Sequence, residues 1–248
     1  ISKSSPFTKV ELLPVNQTIL TTEISCQKSL KTEPDAIESF LKLVDMPAFM
    51  QDLEKMVGFK TRYSYVDTAQ KAIDWAAESF ASLGLKVEQM PFNIGSSRAN
   101  NLVGTWQGSD SEKYGEVIVC GHLDSISPNP RIDAPGADDN GSGSAGVMAL
   151  ARMLKESGLQ PKATIKFVLF LGEEQGLYGS KAYVRTLDAA AKARIKAVLN
   201  LDMIAFDAVA PLSIMLETNS FNRPMVEIMQ ELAQKYADFT IRTSFNAW

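Results

Sequence analysis

Two adjacent carboxylates, Glu173 and Glu174, stand in the stretch GEEQGLYGS, residues 172–180. They follow ATIKFVLFL, residues 163–171, an apolar run with β-branched residues that reads as a buried strand. A strand that opens on Gly172 delivers the pair to the carboxyl edge of a sheet, where open α/β sheets place their chemistry. In an extended segment the two side chains point to opposite sides, so one can hold a ligand while its neighbour faces another part of the cleft. His122 and Asp124 follow a second apolar run, GEVIVCG; Asp139 lies in PGADDNGSG, residues 135–143; Asp202 ends a third, KAVLNLD. One imidazole with several carboxylates is a ligand set suited to zinc, or to manganese or cobalt in the same geometry. Converging carboxylates without cations would repel one another and raise their pKa values, a cost that divalent ions remove. Asp124, two residues after His122, falls on the same side of an extended segment and fits the carboxylate that orients a metal-bound imidazole. Singly these signals are weak, since a histidine at a strand–loop corner or an Asp pair in a Gly-rich loop is ordinarily structural. Their joint occurrence at strand ends carries the reading.

The elements that must hold these residues follow from periodicity. Residues 34–56 show a helical pattern interrupted at Pro47 and stopped by Gly58. A second helix runs from Ala69 to Leu83, with Asp67 or Thr68 as its cap and Gly84 as its stop. The period then changes, and LKVEQMPF, NLVGTWQG and GEVIVCG read as strands joined by polar turns. A helix from Ser144 to Lys155 leads into strand 163–171. Helices near 179–187 and up to Ile195 precede the strand KAVLNLDM; LSIMLET is a further strand, and Pro224 opens a last long helix. Alternating helices and strands with hairpin-connected first strands give a three-layer α/β/α sandwich around a mixed, mostly parallel twisted sheet.

Composition narrows the function classes. The 248 residues are 45% hydrophobic and 22% charged with a net charge of −4, enough for one sizeable α/β domain with an appendage. No basic stripe suggests nucleic acid, and no apolar run reaches the ~20 residues of a membrane span. Residues 1–35, rich in Ser, Thr, Lys and Pro, read as an extended lead-in or a propeptide remnant. No initiator Met and no signal peptide stand at Ile1, so removal of a targeting segment is one expectation. Cys120 sits inside a strand as an inert core thiol.

In order and spacing, GHLDS, PGADDNGSG, GEEQGLYGS and NLDM resemble the signature of the M28 family of co-catalytic zinc metallopeptidases, and among them the bacterial secreted leucine-type aminopeptidases. The likeness covers roughly residues 45–248, making residues 36–248 a metallopeptidase domain. It implies two zinc ions, with His122 and Asp202 on one, Glu174 on the other and Asp139 bridging both. Glu173 would be the general base of peptide hydrolysis and Asp124 the partner of His122. It further implies peptide substrates cut at an apolar N-terminal residue, a monomer, a secreted or periplasmic setting, and a cis peptide bond between Asp139 and Asn140. Met203 and Leu216 are candidates for the side-chain pocket. The family closes its second metal site with a histidine near the C-terminus, whereas His122 is the single histidine of this sequence. Truncation just before that motif, near Trp248, is the expectation. The alternatives are a non-catalytic M28-like binding module and a glutaminyl-cyclase-like enzyme on the same scaffold.

Overall fold

The computed structural model describes residues 34–206, 212–237 and 239–245. The expected lead-in over residues 1–35 lies almost entirely outside them, as does Trp248. The described residues fall into two compact units, one within Lys31–Phe206 and a smaller one within Asp207–Trp248.

The larger unit begins with α1 (Pro34–Leu41) and α2 (Met46–Gly58), separated where Asp45 caps α2 by accepting from the Ala48 N–H at 2.9 Å. Helix α3 (Asp67–Ser82) starts one residue after an extended Val66, so Asp67 and Thr68 form its first turn and neither side chain caps it. Strands β1 (Lys86–Ile94) and β2 (Ser97–Trp106) form the expected hairpin around Gly95, whose φ of 59° suits a residue without a Cβ. A single helical turn, α4 (Ser111–Tyr114), precedes β3 (Glu116–His122), and α5 (Gly143–Ser157) leads to β4 (Thr164–Phe170). Helices α6 (Tyr178–Thr186) and α7 (Ala189–Arg194) precede β5 (Ile195–Asn200). The strand order is β1-β2-β4-β3-β5. The sheet is mixed, as expected: β1–β2 and β2–β4 are antiparallel, while β3 pairs parallel with β4 and β5.

Alternation along the strands builds the layers. Leu102, Val119, Phe167 and Leu169 face a core shared with Ile73, Ala76 and Phe80 of α3 and Val147, Ala151 and Leu154 of α5. Their strand neighbours Val103, Ile118, Cys120, Val168 and Phe170 face the other way, onto Tyr183 of α6. Strand β5 was expected to be an apolar strand, but its residues alternate in exposure and Val198 is 52% exposed, because β3 is its one partner among the described residues. The register sets His122 opposite Phe170 and Cys120 opposite Asn200, so β3, β4 and β5 end at one carboxyl edge.

The smaller unit holds β6 (Ser213–Glu217), α8 (Arg223–Tyr236) and β7 (Thr240–Ser244), with β6 and β7 paired in parallel. The sequence reading missed β7 because TIRTS is short and mostly polar, with no apolar run to mark it. Leu216 belongs to β6, and Met203 to the larger unit.

Candidate metal centre

His122, the last residue of β3, is 4% exposed, and its ring is flanked by carboxylates at both nitrogens. Nε2 lies 3.2 Å from Asp139 Oδ1 and 3.5 Å from Asp202 Oδ1. One ligand atom from each of His122, Asp139 and Asp202 falls within 4.8 Å of the other two. Ligands at the ~2.0–2.1 Å typical of zinc define a tetrahedron with edges of about 3.3–3.4 Å, close to both contacts. Glu173 Oε2 stands 4.0 Å from Nε2, beside this group. At the ring's other end Nδ1 is 3.2 Å from the backbone carbonyl of Asp124 and 3.6 Å from its carboxylate. A donor at Nδ1 leaves the Nε2 lone pair facing two carboxylate oxygens, an arrangement that needs a proton or a metal cation between them.

The Asp124 carboxylate does more than face His122. It is fully buried and accepts hydrogen bonds from Ser64 Oγ at 2.9 Å and from the Glu173 and Glu174 N–H groups at 3.3 and 3.4 Å. Those two amides belong to a turn and not to the extended segment expected from the sequence. Gly176 N and Leu177 N both donate to the Glu173 carbonyl, and Tyr178 N donates to Gly172 O. Gly172, Gly176 and Leu177 all have positive φ, which is why two glycines stand here. The glutamates are therefore separated by a turn and not by strand pleat. Asn101, unnoticed in the sequence, joins the neck of this turn: its Oδ1 accepts from Leu171 N at 3.3 Å and its Nδ2 donates to Gly179 O at 2.9 Å.

Asp139 is placed by a separate loop. The Asp139–Asn140 peptide bond is cis, as the family likeness implies. Asn140, fully buried, donates to Leu201 O at 2.9 Å and accepts from Gly143 N at 2.8 Å and Met203 N at 3.3 Å. Its amide thus ties the loop of Asp139 to the segment carrying Asp202. Asp138, the other acid of the pair, points elsewhere, accepting from Ser142 Oγ and Ala205 N, both at 3.0 Å.

The electrostatics fit a metal. Burial alone would lower the His122 pKa, but hydrogen bonds to Asp124, Asp139 and Asp202 overcome it and hold the imidazole well above its usual range. Burial, then the charge of Asp139, pushes Glu174 up to about 8. Burial is also the main cause that raises Glu173, partly offset by His122. Glu174 Oε1 is buried with no hydrogen-bond partner, an orphaned acceptor that a cation would satisfy. His122, Asp139 and Asp202 can hold one divalent ion, and Glu174, on which the charge of Asp139 acts, offers a further buried oxygen.

The sequence reading missed Arg62, Ser64 and Asn101, whose site contacts lie some 60 or more residues away, so no local spacing marks them. It singled out Asn140 for its cis bond but not for the contacts of its amide with Leu201 and Met203.

The chain belongs to peptidase family M28, whose model matches residues 101–247. It is similar to leupeptin-inactivating enzyme 1 of Streptomyces exfoliatus, 37% identical over 134 residues, covering 54% of this chain and 29% of that protein. A probable leucine aminopeptidase of Arthroderma otae is 34% identical over 170 residues, covering 63% of this chain and 45% of that protein. The fold matches the LapA aminopeptidase of Legionella pneumophila with a TM-score of 0.75 at 24% identity, covering 89% of this chain and 60% of that one. The chain spans about half or less of the length of these curated relatives.

Proposed function

We propose that this protein is a zinc-dependent aminopeptidase that removes an apolar, leucine-like residue from the N-terminus of peptides. The observation that carries the reading is the convergence of His122 Nε2 with Asp139 and Asp202 oxygens, with the Glu173 carboxylate just outside that group. Bound zinc would supply Lewis acidity to the scissile carbonyl and to the attacking water. His122 and Asp202 would hold one ion, Glu174 a second, and Asp139 would serve both. Glu173 would take the proton of the attacking water and return it to the leaving amine. Burial lifts its pKa toward working pH, which suits a base that must also act as an acid. Asp124 would keep the Nδ1 side of His122 oriented and the Glu173–Glu174 turn in place. A free substrate amine, held near these acids, would restrict cleavage to the first residue. Met203, 56% exposed beside Asp202, remains the pocket candidate in this unit. A monomer acting in a secreted or periplasmic setting completes the proposal, which there rests on the family likeness.

The test is elemental analysis joined to an assay on leucyl chromogenic amides. Zinc-dependent release of the chromophore from the leucyl amide, and none from its N-acetyl form, is expected. Equal cleavage of both would mean an endopeptidase. No divalent metal in an active preparation would end the zinc reading. Cyclisation of N-terminal glutamine without leucyl hydrolysis would favour the cyclase alternative, and metal binding without either activity the binding module.

A further inference from the structure

Both halves of the candidate site lean on one short segment, residues 60–64, which lies outside every motif that drew attention to the site. Arg62 is fully buried. Its guanidinium donates to four backbone carbonyls: Nε to Leu123 at 2.7 Å, Nη1 to Met56 at 3.0 Å and Pro135 at 2.6 Å, and Nη2 to Gly136 at 2.8 Å. Pro135 and Gly136 open the loop that carries Asp139, and Leu123 stands between His122 and Asp124. The same loop is held to the segment by Ala134 N donating to Lys60 O at 2.8 Å. It is held again by Ser125 Oγ, which donates to Ala134 O at 2.6 Å and accepts from Arg62 N at 3.2 Å. Two residues on, Ser64 Oγ donates to Asp124 Oδ2 at 2.9 Å and accepts from Gly172 N at 2.8 Å, directly before the two glutamates.

Arg62 has no carboxylate among its hydrogen-bond partners in the described residues, although the charges of Asp124, Asp139 and Glu174 all act on it. A buried cation spent on neutral carbonyls is costly unless nearby anions compensate. The planar fork of arginine can hold several carbonyls in fixed directions, which the point charge of lysine cannot.

We infer that Arg62 and Ser64 are positioning residues acting on different halves of the site. Arg62 sets the loop that presents Asp139, and Ser64, through Asp124 and Gly172, sets the turn that presents Glu173 and Glu174. This rests on the proposed peptidase reading, and the two residues are separable by experiment. Arg62→Lys is expected to weaken Co²⁺ binding by about 10-fold or more, the size of effect seen when support behind a ligand is lost. Ser64→Ala is expected to lower kcat on a leucyl amide by about 10-fold at saturating Co²⁺ with KM within about 3-fold, and to weaken the part of Co²⁺ binding that depends on Glu174. Ser64→Thr, which keeps the hydroxyl, is expected to restore kcat. In metal-free protein, amide hydrogen exchange at Glu173 and Glu174 is expected to be fast in Ser64→Ala and slow in Ser64→Thr.

Unchanged Co²⁺ affinity in a folded Arg62→Lys variant overturns the role of Arg62. If that variant fails to fold, Ser125→Ala loosens the same loop and decides the point in the same titration. Unchanged kcat, or unchanged exchange, in Ser64→Ala overturns the role of Ser64. If the unaltered protein binds Co²⁺ but cleaves nothing, the hydrolase reading fails, while the titration and exchange arms still judge both residues.

Discussion

Zinc uptake should release protons, and the structure sets how many. In the metal-free protein the imidazole of His122 is held charged by its hydrogen bonds to Asp124, Asp139 and Asp202, against the pull of burial. Glu174, raised to about 8 mainly by burial, is mostly protonated at pH 7. Metal ligands must be deprotonated, so filling the His122–Asp139–Asp202 group at pH 7 should expel about one proton, and recruiting Glu174 about one more. By pH 9.5 the Glu174 contribution should be almost nil. Calorimetric titration of metal-free protein with zinc, in buffers of different ionisation enthalpy, counts these protons directly. The same shifts act on stability, and in one direction. A raised carboxyl stabilises the metal-free fold fully below its unfolded value of 4.5, and that contribution is lost as pH rises through about 8. A raised imidazole contributes fully below 6.5 and loses it above its folded value. From Glu174 alone, metal-free protein should lose about 1–2 kcal/mol between pH 5 and pH 8 after allowing for solvent screening, with His122 acting in the same direction. For a chain of this size that is several degrees in Tm. Saturating zinc should abolish or reverse the trend. A release below half a proton at pH 7, or a metal-free Tm that rises toward pH 8, would refute these electrostatics.

Three further outcomes follow from the site. Glu173→Gln should keep fold and metal but lose about 10²–10⁴ in turnover, whereas Glu174→Gln should lower metal occupancy; loss of metal in both would refute their division of labour. Gly143→Ala should destabilise by about 1–3 kcal/mol, read as a lower Tm, because a Cβ there would collide with the Leu201 carbonyl and Asn140 Oδ1. This chain should bind one zinc firmly and a second weakly, since among the described residues Asp139 and Glu174 remain for the second; two tight sites by titration would point to a further ligand.

The layers were legible because burial leaves a period. The two-sided apolar run of β4 and the inward stripe of α5 are written in adjacent residues, and the structure places them as read. Strand β7 and the turn α4 were not, since short polar segments acquire structure from partners the local sequence does not name. The half-exposed β5 shows the same limit in reverse: KAVLN reads as apolar, yet exposure depends on how many neighbours a strand has.

At the site, residue types were legible and their support was not. His122, Asp139, Glu173, Glu174 and Asp202 announce themselves because acids gather at strand ends beside the single imidazole. The reason the two glutamates face differently was misread: positive φ at Gly172, Gly176 and Leu177 makes a turn where an extended segment was assumed. What fixes that turn is the Asp124 carboxylate, and what fixes Asp124 in turn is Ser64, 60 residues earlier. Asp139 depends in the same way on Arg62, which reaches Pro135 and Gly136 from more than 60 residues earlier, and on Asn140, which reaches Leu201 61 residues on. A spacing pattern can display ligands, because chemistry restricts their types. It cannot display hydrogen-bonded support, because Ser, Asn and Arg are ordinary surface residues until the fold closes around them. Exact placement of the acids therefore belongs to tertiary structure, and substitutions that leave every motif intact can still disable the site.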